Sequence, residues 1–318
     1  MKVFDIQERC QAVLDAIAEI VVGKGNVLHQ IMAGLLANGH ILLEDYPGLA
    51  KTLIARLFSQ ALELRFSRIQ FTPDLMPSDV TGNSIYDQRA QRFEFRRGPI
   101  FAQLVLADEI SRATPKTQSA LLEAMQERQV TIDGQSHPLE PPFLVIATQN
   151  PIDFEGTYPL PEAQLDRFAM RIAIGYPDRE QETEVLRRRR ERRREAAEVP
   201  TLMSHADLLA MQAALEDVHV DSAIDEYIVD LVRATRADNR VALGVSPRGA
   251  LALQSLVRAE AALQGRDFVT PDDVKAMAVP ALAHRIVLRP ELWVARLSPT
   301  EVIDEALKRV PTPKVEVS

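Results

Sequence analysis

The apolar positions of the chain follow two patterns that change near residue 177. Before that point, short apolar runs alternate with stretches in which apolar residues recur at helical spacing. The short runs lie near residues 41, 67, 104, 144 and 171. Because strands that alternate with helices build parallel sheets, this half predicts an α/β fold with a five-stranded parallel sheet flanked by helices.

After residue 177 the apolar positions keep helical spacing almost throughout, which predicts an all-α second domain. We expect an α/β core over residues 1–177, a helical domain over 178–310, and a mobile tail over 311–318 that lacks a packing pattern. Helices of the second domain are predicted at residues 179–197, 204–216, 221–237, 247–264, 271–285 and 298–309. Only residues 268–269 and 287–288 indicate extended chain there.

Two polar turns interrupt the core and predict β-hairpins. In the first, short apolar segments flank the polar residues 88–91. In the second, Asp133 and Gly134 follow the β-branched run 130–132, and Asp-Gly is a strong signal for a two-residue hairpin turn. We expect both hairpins to serve partner engagement or ring mechanics more than folding, because each leaves the sheet locally and has a polar tip.

A strand, a tight loop and a helix follow one another over residues 40–58, with Lys51 and Thr52 opening the helix. The loop residues are, in order, Asp45, Tyr46, Pro47, Gly48, Leu49 and Ala50. Backbone N–H groups of such a loop bind phosphate, a lysine adds positive charge, and a threonine hydroxyl ligates Mg²⁺. The strict pattern G-x-x-x-x-G-K-[ST] has glycine where this chain has Asp45 and Ala50, so the loop alone also fits an ordinary strand–turn–helix connection.

Carboxylate and amide side chains stand at the ends of two later apolar runs. Asp108 and Glu109 follow the run 104–107, and Asn150 follows the next one. Beside Thr52, the aspartate can hold Mg²⁺ through water while the glutamate orients the water that attacks a γ-phosphate. Asn150 can hold that water or the γ-phosphate from the side opposite Glu109. Open parallel sheets bind ligands at this edge, although such residues also serve as strand stops and turns.

Two arginines are candidates for contact with a nucleotide held between domains or subunits. Arg167 lies just before the predicted fifth strand. Arg248 follows Ser246 and Pro247, which are a favourable N-cap and first residue for a helix. Either arginine can instead be an ordinary ion-pair residue.

Composition restricts the class of protein. The 318 residues carry a net charge of −8, which argues against a surface that tracks a phosphate backbone, so nucleic acid is an unlikely partner. No apolar run is long enough to span a bilayer, and the N-terminus lacks a signal-peptide pattern, so we expect a cytoplasmic protein. A single cysteine and six histidines without ligand spacing predict no intrinsic metal site.

An arginine run stands apart from this acidic background. Seven arginines fall within residues 187–194, on the helix predicted from 179 to 197. Glu184 and Arg188 are spaced for an ion pair on that helix. A solvated surface helix is the simpler interpretation, and contact with an acidic partner or nucleic acid is the other.

Several segments together resemble the MoxR family of AAA+ ATPases, over about residues 10–310. The segments are Glu44–Thr52, Arg97–Phe101, Leu106–Ile110, Ala147–Pro151, Leu160–Phe168 and Ser246–Arg248. The family also spells its phosphate loop Pro-Gly-Leu-Ala-Lys-Thr, as this chain does at residues 47–52.

The resemblance implies an AAA+ core, two inserted hairpins and a helical lid. By this resemblance, the roles are Walker A for Lys51 and Thr52, Walker B for Asp108 and Glu109, sensor 1 for Asn150, arginine finger for Arg167 and sensor 2 for Arg248. The hairpins are the helix-2 insert at 83–97 and the pre-sensor-1 hairpin at 129–139. The family implies ATP and Mg²⁺, hexameric rings, and a partner with a von Willebrand factor A domain.

Three other functions remain open at this point. Replicative helicases of the MCM type share both inserts, so a nucleic-acid motor is one. Magnesium-chelatase subunits share the branch, so a metal-insertion motor is another. A nucleotide-gated scaffold that barely hydrolyses is the third, since Ala50 departs from the strict loop pattern.

Overall fold

A five-stranded parallel sheet forms the centre of the first half of the chain. The computed structural model describes residues 3–44, 46, 48–89, 91–150, 157–193, 197–291 and 297–314. The sheet strands are β1 (Ile41–Glu44), β2 (Phe66–Gln70), β5 (Leu104–Asp108), β8 (Leu144–Gln149) and β9 (Met170–Ile172). Their order is β2-β5-β8-β1-β9, with every neighbouring pair parallel. The prediction of a five-stranded parallel sheet is confirmed.

The remaining described strands form three small antiparallel pairs. They are β3 (Gly82–Asp87) with β4 (Arg92–Arg97), β6 (Gln129–Ile132) with β7 (Gln135–Pro138), and β10 (Val241–Leu243) with β11 (Val287–Leu288). The first two pairs are the predicted hairpins. Asp133 and Gly134 both have positive φ, at 51° and 77°, as the predicted turn requires. The tip residue Ala90 of the first hairpin lies outside the described residues.

The described helices surround the sheet and make up most of the second half. They are α1 (Val3–Ala18), α2 (Gly25–Leu36), α3 (Lys51–Ala61), α4 (Pro77–Thr81), α5 (Pro115–Glu127), α6 (Glu162–Leu165), α7 (Arg179–Arg192), α8 (His205–Ala214), α9 (Ser222–Arg236), α10 (Pro247–Leu263), α11 (Pro271–Leu282) and α12 (Pro299–Arg309). None of the helices in the described parts of the chain is long and apolar enough to cross a membrane.

Burial explains why β5 and β8 occupy the centre of the sheet. Every residue of β5 is buried, and so is every residue of β8 except the last. Strands covered on both faces read as continuous apolar runs, which is how both appear in the sequence. Strand β2 lies at an edge, and of its residues only Ile69 is buried. The polar side chains of β2 reach the end of its one neighbour in the sheet, β5.

One apolar cluster joins a face of the sheet to the N-terminal helices and the later helices. It includes Ile6 of α1, Leu28 of α2, Leu106 of β5, Leu253 of α10 and Val274 of α11. A second cluster covers the opposite face and includes residues of α5 and Val130 of the second hairpin. The division into domains at residue 177 stays a prediction.

Three details of the helical half differ from the sequence-based prediction. Helix α7 ends at Arg192 rather than at 197, because Arg193 adopts a left-handed φ of 56°. The α-helix predicted to 285 ends at Leu282 and continues as a tight 3₁₀ turn. Residues 287–288 do form a strand, but their partner at 241–243 was not predicted.

Candidate nucleotide site

The loop before α3 has left-handed backbone at two positions and leads into a helix without a side-chain N-cap. Gly48 has a φ of 83°, which glycine adopts without strain, and Ala50 has a φ of 58° at the N-cap of α3. Ala50 offers no side-chain cap, so the first N–H groups of the helix have no side-chain acceptor from the N-cap. A helix start of this kind binds anions. Asp45 and Pro47, also predicted to contact nucleotide, lie outside the described residues.

A cavity of about 400 Å³ connects this loop to the ends of the central strands. Its lining residues are Gly48, Leu49, Ala50, Lys51, Thr52, Leu53, Asp108, Glu109, Thr148 and Asn150. The lining contains the predicted Lys51, Thr52, Asp108, Glu109 and Asn150, although they lie far apart in the sequence. Parallel strands explain this convergence, since their carboxyl ends meet at one edge of the sheet.

Tyr46 belongs to the loop but is not one of the described residues that line this cavity. Its ring stacks on that of Tyr176, with centroids 5.4 Å apart and planes 24° apart. Tyr176 follows the last strand of the sheet, so the stack joins the phosphate loop to the segment that leads into α7.

Asp108 and Thr52 offer oxygen ligands to a divalent cation. The Oγ1 of Thr52 lies 3.5 Å from Oδ2 of Asp108, and both residues line the same cavity as Lys51. Thr148 donates a hydrogen bond of 2.7 Å to the other carboxylate oxygen, Oδ1. Magnesium ions in phosphate sites take one or two such oxygens from protein and the rest from phosphate and water. The donor set therefore fits Mg²⁺ beside a bound triphosphate.

Glu109 is held at the same strand end by its backbone and its side chain. It has a left-handed φ of 56°, and its N–H donates to the hydroxyl of Thr148 at 2.8 Å. The amide of Gln70 and the guanidinium of Arg112 both donate to Oε2, each at 2.9 Å. The carboxylate is thus aimed at a fixed position next to the cavity, as a residue that orients water requires.

Four polar side chains at this edge escaped the sequence analysis: Arg68, Gln70, Arg112 and Thr148. Arg68 bonds to Oδ2 of Asp108 through Nε at 3.0 Å and Nη2 at 2.7 Å. Gln70 pairs with Asp108 across the β2–β5 ladder, and Arg68 lies two residues earlier on the same face of β2. The alternation Arg-Ile-Gln was a signal in the sequence, but its target depended on knowing that β2 neighbours β5.

Arg167 and Arg248 lie together in a different cavity, of about 300 Å³. His40 and Ala169, which directly precede β1 and β9, also line it, so it opens at the amino ends of these strands. No residue is shared with the lining of the Lys51 cavity. Within the described parts of the chain, neither Arg167 nor Arg248 forms a salt bridge. The geometry separates both arginines from the phosphate loop of their own subunit.

Arg285 fixes the segment that carries Arg167. It forms an ion pair with Asp166 and donates to the carbonyl of Phe168 at 2.7 Å, one residue on either side of Arg167. Burial lowers the pKa of Arg285, and the neighbouring Asp166 opposes that shift. Ser246, the N-cap of α10, also donates to Asp166, at 3.1 Å. These bonds tie Arg167 to the start of the helix that carries Arg248.

The histidines of the described residues form no metal centre. No group of three or more His, Cys, Asp or Glu side chains there is arranged to hold a metal ion. His40 and His284 are buried, and burial lowers the pKa of His40 to about 3 and that of His284 well below 6.5. Cys10 is also buried, which raises its pKa to about 12 and leaves the thiol unreactive.

Comparisons with known proteins identify the class to which this fold belongs. Residues 40–170 match the family described as "ATPase family associated with various cellular activities (AAA)", and residues 233–306 match the AAA lid domain. A crystal structure of a proposed ATPase from Cytophaga hutchinsonii superposes with a TM-score of 0.91 at 41% identity, over 98% of this chain and 97% of that one. The fold and the site define an AAA+ ATPase, that is, an ATP hydrolase with a core and a lid.

The sequence relatives narrow this class. The chain is 46% identical to YeaC of Bacillus subtilis, covering 94% of this chain and 93% of that protein. It is 43% identical to Chaperone MoxR1 of Mycobacterium tuberculosis, covering 94% and 81%. It is 32% identical to MoxR of Paracoccus denitrificans, covering 94% of each chain. The chain belongs to the MoxR family of AAA+ ATPases.

Proposed function

We propose that the chain uses Mg²⁺-dependent ATP hydrolysis to remodel or mature a partner protein, as a chaperone does. The convergence of Lys51, Thr52, Asp108 and Glu109 on one cavity carries the proposal. The printed name of the M. tuberculosis relative, Chaperone MoxR1, supports the chaperone part.

Each residue of the cavity has a distinct role in this proposal. Lys51 and the N–H groups at the start of α3 hold the β- and γ-phosphates. Thr52 and Asp108 would hold Mg²⁺, which when bound neutralises charge on the phosphates. Glu109 orients the attacking water, and Asn150 holds the γ-phosphate or that water from the opposite side.

The position of two arginines supports a ring of subunits. Lys51 is the one cationic side chain among the described residues that line the phosphate cavity, so further positive charge would come from a neighbouring subunit. Arg167 and Arg248 share a cavity at the amino ends of the strands, whereas the phosphate loop lies at the carboxyl ends. A heterologous contact brings one end against the other and closes into a ring when the rotation fits.

The assembly and the partner complete this proposal. We propose a hexamer that acts in the cytoplasm, with a von Willebrand factor A domain protein as its partner. Family resemblance supports both the hexamer and the partner.

Two substitutions separate binding from turnover. Lys51→Ala removes the charge that faces the phosphates, so the affinity for a fluorescent ATP analogue should fall at least about tenfold. Glu109→Gln keeps the loop and removes the carboxylate that orients water, so the analogue should still bind while turnover falls by about 10²-fold or more. Binding titrations and phosphate release measure the two effects.

Arg190→Gln on α7 is a suitable control, because this side chain lies outside the cavity. It should leave both measurements unchanged. Turnover at the normal rate in Glu109→Gln would contradict the role of that carboxylate. Stimulation by DNA, rather than by a protein, would favour a nucleic-acid motor.

A further inference from the structure

Arg68 binds the carboxylate oxygen that faces the proposed magnesium ligand Thr52. Its Nε and Nη2 donate to Oδ2 of Asp108 at 3.0 and 2.7 Å. The same Oδ2 lies 3.5 Å from Oγ1 of Thr52, whereas Oδ1 is taken by Thr148. A guanidinium and a metal ion would therefore compete for one oxygen.

The same guanidinium is connected to the proposed catalytic glutamate. Nη2 of Arg68 also donates to Oε1 of Gln70 at 2.6 Å, and Nε2 of Gln70 donates to Oε2 of Glu109 at 2.9 Å. A single chain of hydrogen bonds thus runs from Asp108 through Arg68 and Gln70 to Glu109. Any movement of Arg68 changes what Gln70 can offer to Glu109.

We propose that Arg68 is a positioning residue that neutralises Asp108 while no metal is bound and releases it when Mg²⁺ arrives with the nucleotide. This inference rests on the proposed ATP site. Asp108 is 9% exposed, so its charge is poorly screened and would repel a triphosphate that arrives without metal. The side chain of Arg68 is 48% exposed, so it has solvent to move into when the ion replaces it.

If Arg68 has this role, its contribution to nucleotide affinity depends on whether Mg²⁺ is bound. In the metal-free protein, Arg68 offsets the negative charge of Asp108; in the loaded protein, Mg²⁺ would offset it instead. Loss of Arg68 should therefore weaken nucleotide binding without metal and leave binding with Mg²⁺ nearly unchanged. A residue that only stabilises β2 would alter both affinities alike or neither.

Equilibrium binding of a fluorescent ATP analogue, with Mg²⁺ or with EDTA, tests this dependence in the full chain. The quantity is the ratio of the Kd in EDTA to the Kd in Mg²⁺. For Arg68→Gln we expect this ratio to rise about tenfold, because a charge-assisted bond to the carboxylate is lost only in the metal-free state. Arg68→Lys keeps the charge and should return the ratio to within about twofold of the unsubstituted chain.

Arg65→Gln is the matched control, since Arg65 directly precedes β2 but pairs with Glu140, away from the cavity. It should leave the ratio unchanged. Arg68→Met, which keeps the apolar stem, provides a second neutral variant if Arg68→Gln does not fold, as judged by thermal melting.

An unchanged ratio in the neutral Arg68 variants would overturn the inference while leaving the ATP site intact. Equal weakening with and without Mg²⁺ would overturn it as well, and would assign Arg68 to the stability of the strand. Failure of the unsubstituted chain to bind the analogue under either condition would overturn the ATP site itself, and this inference with it.

Discussion

His40 is buried as a neutral residue, and its two ring nitrogens are already used. The backbone N–H of Val145 donates to Nδ1 at 3.1 Å, so Nε2 carries the proton and donates to the carbonyl of Met125 at 3.1 Å. Burial, reinforced by the charge of Arg128, lowers the pKa of His40 to about 3. A proton on Nδ1 would also break the bond from Val145.

This depressed pKa makes the stability of the fold depend on pH. An unfolded histidine has a pKa of about 6.5, so the unfolded chain takes up a proton below that pH while the folded chain does not until about pH 3. The stabilisation that comes from neutral His40 is complete above about pH 6.5. It is lost as the pH falls from 6.5 towards 3. His40 alone should lower the free energy of unfolding by about 2 kcal/mol between pH 7 and pH 5.

Urea unfolding at pH 7 and pH 5 measures this loss. His40→Gln should reduce the difference between the two free energies by about 2 kcal/mol, because the titrating group is gone. His205→Gln, at the partly exposed start of α8, is the control and should retain the full difference. If His40→Gln kept the full difference as well, another group would be responsible for it.

At the residue scale, the sequence predicted which side chains line the site better than it predicted the hydrogen bonds between side chains of different strands. Lys51, Thr52, Asp108 and Glu109 were identifiable because each stands at a recognisable place in a strand–loop–helix pattern. Arg68 was not, because its role depends on the β2–β5 register. A cross-strand contact of this kind requires the strand order, which local patterns do not contain.

The first inserted hairpin carries an exposed aromatic pair below its polar tip. The rings of Tyr86 and Phe93 lie 5.3 Å apart in an edge-to-face arrangement, and Phe93 is 71% exposed. Nearer the base, Phe95 stacks on His137 of the second hairpin, with centroids 4.2 Å apart. The base is thus anchored to the neighbouring hairpin, whereas the aromatic pair is available to a partner.

We expect the substitution Phe93→Ser, combined with Tyr86→Ser, to reduce partner engagement without harming the fold. The melting temperature should change little, because Phe93 is 71% exposed and Tyr86 is 49% exposed. Suppression of aggregation of a denatured test protein should fall at least about twofold, because exposed aromatic rings contribute strongly to interfaces.

Leu186→Ser is the matched control, because Leu186 on α7 is also 71% exposed but lies outside the hairpins. It should leave the suppression of aggregation unchanged. A collapse of the melting temperature in the hairpin variant would instead assign the aromatic pair to the core. Replacing residues 88–91 by Gly-Ser should behave like the aromatic variant for partner-linked activity.

The boundaries of elements were predictable where a local signal defines them. Ser246 accepts from the N–H of Gly249 and Pro247 begins α10, as the Ser-Pro pair predicted. The predicted ion pair between Glu184 and Arg188 is present at 2.6 Å. The end of α7 was wrong by five residues, because a run of arginines has good helical propensity and carries no stop signal.

The arginine run does not form one uniform basic face. Arg187 pairs with Glu184 and Glu191, whereas Arg188 also donates to the carbonyls of Ala18 and Glu19 at the end of α1. Helix α7 has no buried residue, so these bonds attach it to the body of the protein in place of apolar packing. Part of the run is therefore structural, whereas Arg189, Arg190 and Arg193 are exposed on the surface.

At the scale of the whole molecule, the sheet separates the two halves of the proposed chemistry. The phosphate loop, Asp108 and Glu109 lie at the carboxyl ends of the strands, and Arg167 and Arg248 lie near the amino ends of β1 and β9. The sequence placed Arg167 before the last strand but left open whether Arg248 serves its own subunit. Because both arginines line one cavity at the other end of the sheet, we expect both to contact the nucleotide of a neighbouring subunit.

This separation predicts that hydrolysis needs contact between subunits. An arginine supplied by a neighbour can raise the rate by ~10³–10⁵, because it neutralises charge in the transition state. Specific activity should therefore rise with protein concentration as rings form. Arg167→Ala and Lys51→Ala should each be inactive alone, the first for lack of the neighbour's charge and the second for lack of phosphate binding.

Mixing these two variants provides the decisive measurement. Where an Arg167→Ala subunit presents its intact phosphate site to the intact Arg167 of a Lys51→Ala subunit, the full set of groups is restored. In an equimolar mixture about a quarter of heterologous interfaces have this arrangement, so activity should return to roughly that fraction of the unsubstituted ring. Native mass measurement confirms that mixed rings have formed. Mixed rings as inactive as their components would contradict action between subunits and would assign Arg167 to the structure around Asp166 and Arg285.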